Sequence, residues 1–155
     1  LGCGAGRLTI PIALRRTVEI AGVDISENML ELAQARLEDL SMKHLIRWLL
    51  GDGRSLPAEL GRIDVAYSMI TLQHIPHEGQ ASYIREVGAA LVRGGIFRFQ
   101  VLEGERQTFL HHEVGELFLK QACGEAGLKI TTLDRVPAFN GSTEVTPLWV
   151  TAVKT

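Results

Sequence analysis

Short apolar runs alternate along this chain with stretches in which apolar residues recur every three or four positions. The first pattern is that of buried strands, the second that of helices with one covered face. A helix is expected from Arg7 to Arg16, with Pro11 in its first turns, where a missing N–H is tolerated. Ile20 to Asp24 reads as a short buried strand. Ser26 then suits the N-cap of a helix on which Met29, Ala33, Leu37 and Leu40 share a face with Leu30 beside them, while Glu27, Glu31, Arg36, Glu38 and Asp39 fall on the wet side. Leu45 to Leu50 is the next strand and ends at Gly51-Asp52-Gly53; Ile63 to Ser68 is another. A helix follows from His77 to Val92, with Ile84, Val87 and Leu91 inward, and Gly94-Gly95 stops it. Ile96 to Leu102 is a strand, and Glu113 to Ala126 a helix closed by Gly127 in a left-handed cap. Lys129 to Asp134 and Leu148 to Lys154 are the closing strands; Val145-Thr146-Pro147 extends the last one if Pro147 sits at an edge or bulge.

Strands alternating with helices imply an α/β fold, a mostly parallel sheet with helices on both faces. The last two strands have a loop and no helix between them. A hairpin needs only a loop, whereas a parallel crossover needs more chain, so the final strand is expected to run antiparallel. No repeat or linker interrupts the pattern, and 155 residues suffice for one domain with its own core, so residues 1–155 are read as a single domain.

Composition narrows the function classes. Hydrophobic residues make up 46% and charged residues 22%, as in soluble globular proteins. A net charge of -2 argues against a broad nucleic-acid surface, and the basic pair Arg15-Arg16 reads as a solvated helix end. No apolar stretch is long enough to span a membrane. Two distant cysteines, Cys3 and Cys123, suit a reducing compartment, and a cytoplasmic location is expected.

The candidate chemistry lies at the carboxyl ends of successive strands, where open parallel sheets bind ligands. The chain opens on Gly2-Cys3-Gly4-Ala5-Gly6, a turn whose glycines permit sharp folding and close ligand approach; Cys3 is read there as a small residue whose backbone matters. The second feature is Asp24, at a strand end eighteen positions past Gly6, and a carboxylate there can accept from both hydroxyls of a ribose. Asp52 ends the third, an acid able to accept from an exocyclic amine beside the Gly53 N–H, which can donate to a ring nitrogen. Each alone is weak, since a strand-end Asp is commonly a turn former. Together they describe a pocket for an adenosine-containing ligand. The spacing Gly-x-Gly-x-Gly differs from the Gly-x-Gly-x-x-Gly of dinucleotide sites, and no phosphate-binding loop is present.

Leu1 to Leu8, Val23-Asp24-Ile25-Ser26, Gly51-Asp52, Asp64-Val65, Leu72-Gln73-His74-Ile75-Pro76 and Leu91-Val92-Arg93-Gly94-Gly95 resemble the ordered motifs of class I S-adenosylmethionine-dependent methyltransferases, closest to those acting on small molecules. The resemblance implies a Rossmann-like, doubly wound, seven-stranded sheet of order 3-2-1-4-5-7-6 with the last strand reversed. In that scheme most of the first strand, and an acid two positions before Gly2, precede Leu1, so the chain reads as a domain lacking its N-terminal part. The implied cofactor is S-adenosylmethionine. Gly2, Cys3, Gly4 and Gly6 would line its methionine part, Asp24 would hold the ribose, Ile25 and Met29 would pack on adenine, and Asp52 and Gly53 would read its edge. Ser68 and Met69 would lie near the amino group and the sulfonium. The family's Lys-Pro-Gly-Gly turn stands here as Val92-Arg93-Gly94-Gly95.

His74 is the candidate general base, because histidine ordinarily titrates near neutral pH; the competing reading is a side chain that shapes the turn before Pro76. His111-His112-Glu113 is read as a loop and helix start rather than a metal site. Arg98, odd within a central strand, needs a partner from the sheet end or a covering helix. Ser68-Met69-Ile70-Thr71 does not resemble the Asn/Asp-Pro-Pro-Tyr/Phe of base-methylating enzymes, which favours a small-molecule acceptor and no nucleic-acid partner. The alternatives are a non-catalytic domain that kept cofactor binding, a nicotinamide-dependent oxidoreductase, and an aminopropyl transferase; the last would want acids that Ser68 to Pro76 lacks.

Overall fold

The computed structural model describes residues 1–15, 18–39, 46–136, 138–140 and 143–155. Arg16 and Leu45, used above as element ends, and Leu40, placed on a helix face, lie outside the described residues. The chain forms two compact units, Leu1–Leu60 and Gly61–Thr155.

In the first unit, helix α1 (Thr9–Arg15) starts two residues later than expected, because Gly6 to Leu8 complete the turn. Strand β1 (Ile20–Asp24) pairs in parallel with β2 (Ile46–Leu50), from Ile20 opposite Ile46 to Asp24 opposite Leu50. Helix α2 (Glu27–Asp39) lies between them in sequence, and the Ser26 hydroxyl accepts from the Met29 N–H at 3.4 Å, as the cap requires. Leu30, Ala33 and Leu37 form its covered face, and Met29 is 40% exposed, so Leu30 and not Met29 is the inward residue. Ile10, Ala13, Leu37 and Ile46 make a core against which Ile20 and Trp48 pack. Burial of a side chain such as Leu37 stabilises the fold by about 1.5–3 kcal/mol.

The second unit holds a four-stranded sheet whose strands lie side by side in the order 63–68, 91–102, 147–154 and 128–135. Strand β3 (Ile63–Ser68) is parallel to β4 (Leu91–Leu102), and helix α3 (His77–Ala90) connects them. Helix α4 (Glu116–Glu125) leads into β5 (Leu128–Arg135). A small hairpin of β6 (Ala138–Asn140) and β7 (Thr143–Val145) precedes β8 (Pro147–Lys154), which runs antiparallel to both β4 and β5. The reversed last strand is thus observed, with Pro147 at its first residue, where a lost N–H disturbs the ladder least. Phe97, Phe99 and Val101 of β4 and Leu148, Val150 and Ala152 of β8 are buried, as are Ile84 and Val87 of α3 and Leu119, Ala122 and Cys123 of α4.

Two expectations are corrected. Helix α3 ends at Ala90, and Leu91 already pairs with Ile63; the pairing then jumps to Val65 with Ile96, and Gly94 (φ +79°) absorbs the extra residues as a bulge inside β4. Helix α4 begins at Glu116, not Glu113, because Glu113 is buried and bound to Arg106. No helix among the described residues is long and apolar enough to cross a membrane.

Candidate functional site

In the first unit the glycine turn is anchored to the end of β1. The N–H groups of Gly2 and Cys3 donate to the Val23 carbonyl at 2.8 and 3.1 Å, and Gly6 donates to the Cys3 carbonyl at 3.0 Å. Gly2, Gly4 and Gly6 all take positive φ, at 68°, 49° and 74°, where an L side chain is strained. They differ in surroundings. A Cβ on Gly4 would meet nothing within 4 Å, whereas one on Gly6 would sit 2.9 Å from Ile10 Cδ1 and 3.1 Å from Trp48 Cη2. Gly4 therefore borders open space, and Gly6 is packed against the protein.

Asp24 ties the turn to the next helix. Its Oδ2 accepts from the Gly4 N–H at 2.7 Å and its Oδ1 from the Ser26 N–H at 3.0 Å. Each oxygen has a further lone pair, so the carboxylate can still accept from a ligand. Its main-chain carbonyl takes the Gly51 N–H at 2.8 Å, which brings the Gly51-Asp52-Gly53 loop beside the end of β1. Ile25, 68% exposed, has its Cγ2 3.6 Å from where a Gly53 Cβ would lie.

Asp52 folds onto its own loop. Its Oδ1 accepts from the Arg54 and Ser55 N–H groups at 2.8 and 2.7 Å, and its Oδ2 from the Ser55 hydroxyl at 2.9 Å. These bonds to Ser55 and Arg54 lower its pKa to about 2. Asp52 is thus a turn former with one lightly used oxygen, Oδ2. The thiol of Cys3 is pushed up to about 11, mainly by burial and then by the Asp24 charge, which suits a backbone role and not a nucleophile. Trp48 was not foreseen: Gly6 and Gly22 both lie against its ring, and the lack of a side chain on Gly22 makes room for it.

The second unit holds the remaining candidates. Ser68 is fully buried at the end of β3, and the Tyr67 hydroxyl approaches Met69 Sδ at 3.7 Å. Ile70 follows at φ +55°, and the Thr71 hydroxyl donates to the Met69 carbonyl at 3.1 Å. A single 3-10 turn, Leu72–His74, then presents His74 as an exposed side chain. Its Nδ1 lies 2.6 Å from the Leu110 carbonyl. A carbonyl only accepts, so Nδ1 carries the hydrogen and Nε2 of the neutral ring has a free lone pair. His74 thus bonds to the backbone of the loop after β4, and its other nitrogen stays available.

Glu113, read as a helix start, instead closes the loop after β4: it accepts from Arg106 N at 3.0 Å and Nε at 2.9 Å and makes an ion pair with Nη2 at 2.8 Å. No group of three metal-ligating side chains occurs among the described residues. Arg98 finds its partners on other strands of the sheet, not on a helix: Thr151 of β8, Asp134 of β5 at 3.2 Å, and the Trp149 ring with the guanidinium 5.2 Å from its centre.

Residues 1–95 match the family described as "Methyltransferase domain". The chain belongs to that family. Among curated relatives, a demethylmenaquinone methyltransferase of Lactococcus lactis is 31% identical over 123 residues, 77% of this chain and 47% of that protein. The O-methyltransferase rstn1 of Aspergillus nomiae is 31% identical over 75 residues, 48% of this chain and 33% of that protein. This methyltransferase domain thus spans less than half of either relative's length. Among solved structures, magnesium protoporphyrin IX methyltransferase (ChlM) from Synechocystis PCC 6803 with bound SAM aligns at TM-score 0.79 and 22% identity, covering 99% of this chain and 67% of that one. The [4+2]-cyclase SpnF aligns at TM-score 0.83 and 18% identity, covering 99% and 73%. At such identities the likeness shows a shared Rossmann-like α/β fold.

Proposed function

We propose that this methyltransferase domain moves a methyl group from S-adenosylmethionine to a small-molecule acceptor. The observation that carries the reading is the glycine turn: Gly4 borders open space, and its N–H is held at 2.7 Å by Asp24, whose oxygens keep lone pairs for a ribose. Those features fit the group. The cofactor supplies a methyl activated on a sulfonium, with a neutral leaving group. Gly2, Cys3, Gly4 and Gly6 would line its methionine part, Asp24 its ribose, and Ile25 and Met29 its adenine face. Asp52 Oδ2 and the Gly53 N–H, which has no partner among the described residues, would take the adenine edge. Ser68 and Met69 would face the amino group and the sulfonium. His74, with Nδ1–H committed to Leu110, offers Nε2 as the base if the acceptor must lose a proton. Positioning alone can be worth roughly 7–11 kcal/mol in such a displacement.

The names of the relatives, a demethylmenaquinone methyltransferase and an O-methyltransferase, favour a small acceptor over a nucleic acid or protein. We further read residues 1–155 as one domain with sheet order 3-2-1-4-5-7-6. The parallel pair β1-β2 would be strands two and three, and β3-β4-β8-β5 would be four, five, seven and six, which the observed neighbours support. The SpnF likeness favours a second reading, a domain that binds the cofactor without transferring its methyl, because a shared fold does not fix the reaction. One experiment separates them. S-adenosylhomocysteine should raise the melting temperature by mass action, and labelled S-adenosylmethionine should pass its methyl to one acceptor in a small-molecule panel. Stabilisation without transfer would favour the second reading; no stabilisation at saturating ligand would defeat both.

A further inference from the structure

Strand β5 is an outer strand of its sheet: β8 lies along one side, and no described strand lies along the other. An open edge invites a further strand, and chains that must stay apart blunt it with unmatched charge, proline or a very short strand. β5 runs for 8 residues without proline, and its charges are matched. Read outward from the point between Thr131 and Thr132, Leu-Lys-Ile-Thr-Thr-Leu-Asp-Arg corresponds to its own reverse. Thr131 corresponds to Thr132, Ile130 to Leu133, and Lys129 to Asp134 with the opposite sign.

A two-fold axis perpendicular to a sheet carries each face onto itself, so residues brought opposite one another must share a face. On a regular strand, positions related across a point between two residues never do. A bulge changes this here. The register of β5 on β8 shifts between Ile130 and Thr132, so Thr131 is an extra residue. Ile130 and Leu133 therefore lie opposite Ala152 and Val150, two buried residues on one face of β8. Lys129 and Asp134 lie opposite Val153 and Trp149, on the other face. On the first face, a cleft of about 450 Å³ runs along β5 beside α4, lined by Leu128, Ile130 and Leu133 with Glu116 and Lys120. Ile130 and Leu133 are only half-buried in it.

We infer that β5 is a self-pairing edge: two copies of this chain join β5 to β5, antiparallel, about a two-fold axis beside Thr131 and Thr132. The interface is isologous, so each contact occurs twice. Lys129 faces the partner's Asp134 on one side of the joined sheet. Ile130 faces the partner's Leu133 on the other, beside the cleft, where apolar surface is withdrawn from water. Asp134 meets Arg98 through Oδ2, at 3.2 Å, and is half exposed, so its carboxylate is open to a second cation. One pair of strands is a small contact, and the dimer is accordingly expected to be weak. The inference is independent of the proposed methyl transfer.

The test is sedimentation velocity of the full chain from about 5 to about 500 μM, the range of a weak interface. Wild type is expected to shift from monomer to dimer across it. Lys129→Asp sets two acids opposite each other and Asp134→Lys two lysines, and each variant alone should dimerise at least about tenfold more weakly. An equimolar mixture of the two should recover the dimer, because each copy's altered residue then faces its opposite charge on the other. A stacked or end-to-end dimer that does not oppose these two positions would show no such recovery. A wild type that stays monomeric throughout overturns the inference and leaves the edge to an extended segment of another protein. Dimerisation of Lys129→Asp at wild-type strength also overturns it, whether or not Asp134→Lys, which loses Arg98, melts early. So does a mixture that stays monomeric while both variants melt like wild type.

Discussion

Gly4 and Gly6 share a turn and a left-handed backbone, yet alanine at the two positions should do different things. At either site the conformation costs an L residue about 1–2 kcal/mol. Replacing glycine also restricts the unfolded chain, which offsets about 0.4–1 kcal/mol. For Gly4→Ala nothing else enters, because the new methyl meets no atom within 4 Å. The net loss is about 1 kcal/mol, or about 2–4 °C in Tm for a chain of this size. For Gly6→Ala the methyl would stand 2.9 Å from Ile10 Cδ1 and 3.1 Å from Trp48 Cη2. The Ile10 methyl can yield, but the Trp48 ring is packed against the core cluster, so overpacking adds about 1–3 kcal/mol. Gly6→Ala should therefore lose about 1–4 kcal/mol and melt well below Gly4→Ala. Ligand binding should invert the order of interest. The space beside Gly4 is where the proposed cofactor comes closest, so Gly4→Ala should weaken S-adenosylhomocysteine at least about tenfold, about 1.4 kcal/mol, despite its mild effect on the fold. Scanning calorimetry of the free chain and titration calorimetry with the ligand measure the two quantities separately. Equal melting temperatures for the two variants would refute the packing argument, and wild-type affinity in Gly4→Ala would refute the placement of the ligand.

Other expectations follow from the same structure. Asp52 has its pKa depressed to about 2, so its contribution to the 52–55 turn is complete above the ordinary value of 3.8 and is lost as pH falls through about 2; the protection of the Arg54 and Ser55 amides, measured against their intrinsic exchange rates, should fall in that window for wild type and be absent at every pH in Asp52→Ala. Cys3 and Cys123, with thiols raised to about 11 and about 12, should resist iodoacetamide at pH 8 in the folded chain and react promptly in urea, as mass spectrometry would show; fast folded-state alkylation of Cys3 would contradict its raised pKa. If His74 Nε2 is the base, His74→Ala should lower turnover by a factor of about 10²–10⁴ while S-adenosylhomocysteine affinity stays near wild type, and near-normal turnover would leave His74 as a turn-shaping residue only.

What the sequence disclosed was whatever is decided within a few residues. The β1 strand, the Ser26 cap, the left-handed Gly127 and the reversed last strand all rest on local signals: an apolar run, a hydroxyl before a helix, a glycine after one, a loop too short for a crossover. Errors arose where a distant partner decides. Glu113 carries the signature of a helix start, but Arg106, seven residues earlier, takes it into the interior, and the helix waits until Glu116. Gly94-Gly95 reads as a helix stop, but pairing with β3 had already begun at Leu91, so the same glycines serve as a bulge. Met29 and Leu30 are equally apolar, and only packing of the α2 face against the unit's core selects Leu30.

The site divides along the same line. The order of glycine turn, Asp24 and Asp52 was readable because each sits at a strand end and chain order fixes the strands. What each acid does there was not. Asp24 serves the turn as well as any ligand, and Asp52 is engaged by Ser55 and Arg54 before a ligand arrives. Trp48 was invisible for a related reason: an aromatic in a strand is ordinary, and only the missing side chains of Gly6 and Gly22, on other segments, reveal that it has been given room. Ile70 is the extreme case. Local preference ranks isoleucine near the bottom for a left-handed backbone, so no reading of propensity would put that conformation there. A residue that contradicts its own backbone carries information only once the backbone is known.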